Sequence, residues 1–296
     1  MKRGLAVLLA GTLLWAAGCG SSAGSGQTLT VGSKQFTESI ILGEMAAQLV
    51  EKKMGIPVKR KLNLGGTLVV YQALTQGEID FYVDYDGTAY QVQLQITDPI
   101  LDPAAVYPLV TEKLQGKNIR VSEPLGFNNT YALALPRNLA EKYRLKTYSD
   151  LAAVSSSFIF GTEQEFMGRP DGYDGLVAAY GFRFKDVKTM DSGLKYRAVQ
   201  QGKVDVIDAY ATDGQLKTFD MVILEDDKHF FPPYNAMFLV RQTAANAYPD
   251  LMATLNLLAG KLSDETMQEL NYRVDELGES PEKVAREFLA QAGLVP

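Results

Sequence analysis

The sequence predicts an α/β protein of two lobes, each a mostly parallel sheet flanked by helices, with a ligand cleft between them. Three observations carry this. Strand and helix patterns alternate along each half of the chain, an order that implies parallel strands with helices on the sheet faces. The segment Gln76–Tyr90, QGEIDFYVDYDGTAY, reads as helix end, glycine, strand and tyrosine, and the same punctuation returns in Gln201–Gly214, QGKVDVIDAYATDG. After a last strand the chain is wholly helical, as it would be if it returned to pack on its first lobe.

Placing Gln76-Gly77 on Gln201-Gly202 puts Asp80 on Asp205 and Tyr85 on Tyr210, 125 positions apart. Gly55 and Gly181 close comparable helices at nearly the same offset. A repeat of this size marks duplicated lobes rather than a solenoid, whose units are roughly 20–50 residues.

In chain order, Leu29–Gly32 reads as a first strand. Thr37 is the expected N-cap of a helix to about Lys53, with Ile41, Met45, Leu49 and Ala46, Val50 at helical spacing. Gly55 ends that helix, Pro57–Leu62 is a strand, and Gly65-Gly66-Thr67 opens a helix to Gln76 before a strand over Ile79–Val83. The second half repeats this with strands at Phe158–Gly161, Phe184–Met190 and Val204–Ile207, and helices at Gly172–Tyr180 and Ser192–Gln201. Further strands are expected at Ile119–Val121, Tyr131–Leu135, Met221–Leu224 and Ala236–Val240. Ser280-Pro281 is an N-cap signal with proline at the first helical position. Crossings between lobes are expected near Leu125–Asn129 and Phe231–Asn235, which makes a hinge. The lobes are then residues 28–127 with 235–296, and residues 128–234.

Length and composition bound what the protein does. The 296 residues carry 35 acidic and 29 basic side chains, a net charge of −6. An acidic chain argues against a nucleic-acid partner, because phosphate binding needs a basic face. Met-Lys-Arg followed by the apolar run Leu5–Ala17 is a targeting leader too short to span a bilayer comfortably. It leads to Cys19, the only cysteine, and resembles a bacterial lipoprotein signal over residues 1–18 with lipid on the Cys19 sulfur. Ala16 stands where such signals usually carry leucine, and a plain secretory signal is the alternative. Residues 19–27 include the Gly/Ser stretch GSSAGSG, a flexible tether. The expected location is the outer face of the cytoplasmic membrane or the periplasm, with the folded part held by the lipid.

With its one cysteine in the leader, the chain has no thiolate zinc site, cysteine nucleophile or disulfide. The single histidine, His229, lies beside Asp226-Asp227 and reads as part of a surface turn. No phosphate loop, dinucleotide fingerprint or nucleophile elbow is present. No catalytic residue, metal or cofactor is expected.

What remains is a set of tyrosines at strand ends or in inter-strand loops: Tyr85, Tyr131, Tyr210 and Tyr234. A quaternary ammonium has no N–H to donate, so its diffuse charge is best met by electron-rich ring faces, each worth about 0.5–2 kcal/mol. Singly, each tyrosine reads equally as packing; the repeat-matched pair Tyr85/Tyr210 argues for a shared cleft that holds a small organic cation. A zwitterion would also need a counter-site for its carboxylate. Lys34, Thr88 and Arg169 are the candidates, Arg169 as a bidentate fork, with solvated surface charge the ordinary alternative.

Five motifs, GSKQFTES (Gly32–Ser39), NLGGT (Asn63–Thr67), YDGT (Tyr85–Thr88), GFNNTYALA (Gly126–Ala134) and DAYATDG (Asp208–Gly214), together resemble the glycine betaine/choline/carnitine family of substrate-binding proteins of ABC importers. The likeness runs from about Leu29 to the end of the chain. It implies a two-lobed, periplasmic-binding-protein-like fold of type II. It also implies an ammonium cage of Tyr85, Tyr131, Tyr210 and Tyr234, carboxylate contacts from Lys34, Thr88 and Arg169, and Thr67 and Asn129 beside the pocket. The implied partners are a quaternary ammonium solute (glycine betaine, proline betaine, carnitine or choline) and the membrane subunits of a permease, served by a monomer. Choline would leave the cations unpaired in a closed cleft, which favours a carboxylated ligand. An alternative is a binding protein of the same architecture for an amino acid or another cation, with Asp84, Asp86 or Asp208 facing the ammonium. A hydrolase or transferase on this scaffold lacks any nucleophile–base pair in the sequence.

Overall fold

In the computed structural model, which describes residues 28–97 and 102–295, the chain forms two five-stranded sheets of matching topology. The strands of the first are β1 (Leu29–Gly32), β2 (Val58–Lys61), β3 (Phe81–Tyr85) and β4 (Ile119–Val121). The second sheet holds β5 (Tyr131–Pro136), β6 (Ile159–Thr162), β7 (Asp186–Thr189), β8 (Val206–Tyr210) and β9 (Met221–Ile223), after which β10 (Ala236–Arg241) returns to the first. The orders are β2-β1-β3-β10-β4 and β7-β6-β8-β5-β9. The expected leader, its Cys19 and the tether lie outside the described residues.

The sheets are mixed rather than mostly parallel. In each, three strands that alternate with helices pair in parallel, β2-β1-β3 and β7-β6-β8. The strand that has just crossed from the other lobe enters antiparallel, β10 against β3 and β5 against β8, and brings a short antiparallel edge strand with it. A strand arriving by crossover needs no helix to reverse it, so strand–helix alternation alone could not foretell its direction.

The repeat has a structural basis. The Thr30 N–H donates to Asp80 Oδ2 at 2.8 Å, and the Ile159 N–H donates to the matching Asp205 Oδ2 at 2.8 Å. Each carboxylate thus ties the start of one strand to its parallel neighbour. Gly77 and Gly202 close the preceding helices with φ of 79° and 64°, a left-handed conformation that costs glycine little.

Helix Thr37–Met54 is buried on most of its surface, because it lies between the first sheet and the C-terminal helices Leu251–Leu255, Asp264–Asp275 and Pro281–Gln291. Its N-cap is Phe36, with no side-chain cap; Thr37 is the first helical residue, and its hydroxyl bonds Asp275 instead. Ser280 caps the last helix as expected, accepting the Lys283 N–H at 3.2 Å. The expected strand over Ile79–Val83 runs two residues later, which makes Tyr85 its last residue. The helix expected from Ser192 opens with a 3-10 turn, Ser192–Leu194, and continues as Lys195–Gln200. No helix among the described residues is long and apolar enough to cross a membrane.

The two crossing segments run side by side. Asn128 and Asn235 form an antiparallel bridge, the Asn129 N–H donates to the Tyr234 carbonyl at 3.1 Å, and the Tyr234 N–H donates to Asn128 Oδ1 at 2.7 Å.

Losing a hydrogen bond to a charged acceptor costs about 1.5–3 kcal/mol. Asp205→Ala should therefore lower the unfolding free energy by an amount in that range, read as a lower urea midpoint with an unchanged m-value; a midpoint equal to wild type would remove this role from the repeat.

Candidate functional site

Strand register assembles the site. Tyr85 ends β3 and lies opposite Ala236, the first residue of β10, so Tyr234 two residues earlier reaches the same rim. In the other lobe Tyr131 begins β5 and lies directly opposite Tyr210, the last residue of β8. Antiparallel entry of the crossing strands therefore places their amino ends beside the carboxyl ends of β3 and β8. That rim, outside the carboxyl ends of the parallel strands, is the usual ligand position in α/β sheets.

One cavity of about 20 Å³ is lined by Lys34, Phe36, Tyr85, Thr88, Asn129, Tyr131, Glu165, Arg169, Tyr210 and Tyr234. All four candidate tyrosines and all three candidate carboxylate contacts meet there. Tyr131 is the hub of the rings, 4.8 Å from Tyr210 and 5.6 Å from Tyr234, the latter edge-on. Phe36 stacks on Tyr85 at 6.4 Å and on Tyr210 at 5.8 Å. Thr67 does not line the cavity; its hydroxyl donates to Glu165 Oε1 at 2.6 Å, and Glu165 does.

Three ring hydroxyls are anchored on carboxylates: Tyr85 on Glu38 at 2.5 Å, Tyr210 on Glu163 and Tyr234 on Asp171. Burial pushes the Tyr85, Tyr131 and Tyr234 phenols well above their usual range, so they stay neutral. Over the ring faces lie the protein's own cations. Lys34 Nζ is 5.3 Å from the Tyr85 centroid, Lys195 Nζ 5.3 Å from that of Tyr210, and the Arg169 guanidinium carbon 5.2 Å from that of Tyr131.

Each of these cations has an internal partner. Lys34 bonds Asp84 at 2.6 Å, and Lys195 bonds Asp208 at 2.8 Å. Arg169 engages Asp171 through Nε at 2.7 Å and Nη2 at 2.5 Å. Across the cleft, Arg169 Nη2 lies 3.5 Å from the Thr88 hydroxyl. The expectation that a ligand without a carboxylate would strand Lys34 and Arg169 is corrected by this pairing: both are already neutralised. The acids proposed to face a primary ammonium are committed elsewhere too. Asp84 takes Lys34, Tyr82 and Gln93, Asp86 takes Asn235, and Asp208 takes Lys195.

Residues 27–291 match the family described as the substrate binding domain of ABC-type glycine betaine transport systems. The chain belongs to this family. It is 39% identical over 90% of its length to the ergothioneine transport permease/ergothioneine binding protein EgtU of Helicobacter pylori, and spans about half of that protein, 48%. It is 37% identical to a glycine-betaine-binding protein of Pseudomonas aeruginosa, with 99% of this chain and 95% of that one covered. Among solved structures, a glycine betaine/carnitine/choline ABC transporter protein superposes with a TM-score of 0.76 at 35% identity, covering 90% of this chain and 99% of the other. The protein is thus a substrate-binding protein of the family that serves ABC importers, whose members are extracytoplasmic.

Sequence reading missed Phe36 and Glu165 in the cavity wall, and Glu38, Glu163 and Asp171 behind the rings. Phe36 and Glu38 stand inside GSKQFTES, and Glu163, Glu165 and Asp171 lie within six positions of Arg169, so the signal was proximity to residues already singled out. Gly87 was also informative: a Cβ there would lie 2.3 Å from the Pro233 carbonyl, so only glycine lets the Tyr85–Thr88 turn touch the returning crossover.

Asp86, in that turn, is buried, and burial pushes its carboxyl up to about 6 despite hydrogen bonds from Asn235 and Gly87. With a folded value above the ordinary 3.8, the folded state holds this proton more tightly than the unfolded chain does. Its contribution to stability is fully present below about pH 4 and is lost as pH rises through about 6. Asp86→Asn should therefore show a shallower fall in unfolding free energy between about pH 4 and 6, measured by urea denaturation; an unchanged slope would assign the fall to other groups.

Proposed function

We propose that the protein captures a betaine, a small solute with a quaternary ammonium at one end and a carboxylate at the other, and delivers it unchanged to the permease. The observation that carries this reading is the convergence of Tyr85, Tyr131, Tyr210 and Tyr234 from both lobes on one cavity that also holds Arg169, Lys34 and Thr88. The ammonium sits among the rings, whose faces gain electron density from hydroxyls held by carboxylates, at about 0.5–2 kcal/mol per ring. The carboxylate meets Thr88 and the Arg169 donors that Asp171 leaves over, since a guanidinium carries five N–H groups. Asn129 lines the wall and Thr67 fixes Glu165, the one carboxylate of the lining.

A volume of about 20 Å³ is room for roughly one water molecule, so the rings part when a ligand enters. Flanking cavities of about 200 and 330 Å³ share Phe36, Asn129 and Tyr210 on one side and Glu165 on the other. Thr67–Glu165 and Thr88–Arg169 join the lobes across the cleft, and closure would re-form them around the ligand. Glycine betaine and carnitine, named for similar proteins, fit this description; ergothioneine, named for another, has both charged groups on one carbon and an imidazole-thione beyond them. Choline stays in the comparison because the site's cations have internal partners. The protein does no chemistry on its ligand, works as a monomer in two lobes (28–127 with 235–296, and 128–234), and is tethered through lipid on Cys19.

Thermal shift ranks the ligands, because binding to the folded state raises apparent stability by mass action. Glycine betaine, carnitine, ergothioneine and choline are compared, with a free amino acid as control; stabilisation by the amino acid alone would overturn the reading. In calorimetry, Tyr85→Ala and Tyr210→Ala should each weaken the best betaine at least about tenfold, ~1.4 kcal/mol. Arg169→Ala should weaken a betaine much more than it weakens tetramethylammonium, and equal losses would take the carboxylate away from Arg169.

A further inference from the structure

Glu38, the second residue of helix Thr37–Met54, is 2% exposed and takes no part in lining the central cavity. Among the described residues it pairs with no cation. Its carboxylate is instead filled by four donors from four parts of the chain. Oε1 accepts from the Tyr85 hydroxyl at 2.5 Å and from Asn129 Nδ2 at 2.7 Å. Oε2 accepts from the Thr212 hydroxyl at 2.6 Å and from Asn271 Nδ2 at 3.2 Å. These donors stand at the end of β3, in the first crossing segment, in the second lobe just past β8, and in the C-terminal helix Asp264–Asp275.

Burying a carboxylate is costly unless its oxygens are well bonded. Here the bonding is complete only when the second lobe brings Thr212 to it. The same carboxylate fixes the Tyr85 ring through its hydroxyl, a charge-assisted bond that also pushes electron density toward the ring face. We propose that Glu38 is a positioning residue of the ligand site: it sets the Tyr85 wall of the cage and couples that wall to the approach of the second lobe through Thr212. This rests on the cage reading of Tyr85.

The coupling is tested by a double-mutant cycle, read by calorimetry with tetramethylammonium and with glycine betaine. Glu38→Gln keeps the shape of the side chain but sets an amide N–H₂ against donors. It should weaken both ligands by about the same factor, near tenfold, because Glu38 acts through the ring and not at the carboxylate end. Tyr85→Phe should weaken them less, and in Glu38→Gln/Tyr85→Phe the two losses should not multiply. Wild-type affinity in Glu38→Gln, or losses that multiply, would overturn the proposal even where Tyr85→Ala abolishes binding. Wild-type affinity in Tyr85→Ala would instead overturn the cage itself. Should Glu38→Gln not fold, Thr212→Val carries the test from the other lobe: an affinity loss that does not multiply with Tyr85→Phe supports the coupling, and wild-type affinity or a multiplying loss overturns it.

Discussion

Two antiparallel pairings, β3 with β10 and β5 with β8, set everything else at the cleft. In each, a strand that has crossed from the opposite lobe lies against the last parallel strand of its host sheet. Carboxyl and amino ends therefore share one rim, and the register puts Tyr85 opposite Ala236 and Tyr131 opposite Tyr210. Were β5 to slip by one residue against β8, its side chains would turn over and Tyr131 would leave the face it shares with Tyr210. The bridge between Asn128 and Asn235 holds the crossing segments together at that rim, so the chain that joins the two sheets also supplies part of the cavity wall, Asn129 and Tyr234.

Around that rim the protein has buried many charges and paired nearly all of them. Lys34 with Asp84, Lys195 with Asp208 and Arg169 with Asp171 each place a cation near a tyrosine face, while Glu38, Glu163 and Asp171 hold tyrosine hydroxyls. Each buried pair is a weak source of stability, since desolvation offsets most of the attraction, but removing one partner is expensive. Such pairs act best as fixed scaffolding for rings. In the proposed cage, rings held in place would lose little freedom on binding, and the attraction they offer would grow as closure excludes water.

The same pairing explains where reading by residue type fell short. Lys34 and Arg169 both line the cavity, but their acids, Asp84 and Asp171, are 50 and 2 positions away, and nothing in those spacings says that the pairs form. Glu38 lies 174 positions from Thr212 and 233 from Asn271, so its bonding exists only in the folded protein. Thr37 looked like a cap, yet a tertiary partner, Asp275, took its hydroxyl.

By itself the sequence determined the alternation of strands and helices, the glycines that close helices, the duplicated Asp and Tyr positions and the motif set that marks the family. These are local or periodic features, decided by backbone conformation and by which face of an element is apolar. Only the tertiary structure decided the antiparallel entry of the crossing strands, the meeting of four tyrosines on one cavity and the partner of each buried charge. Those outcomes depend on contacts between residues far apart in the chain, whose energies are settled by burial and geometry and leave no mark on local sequence.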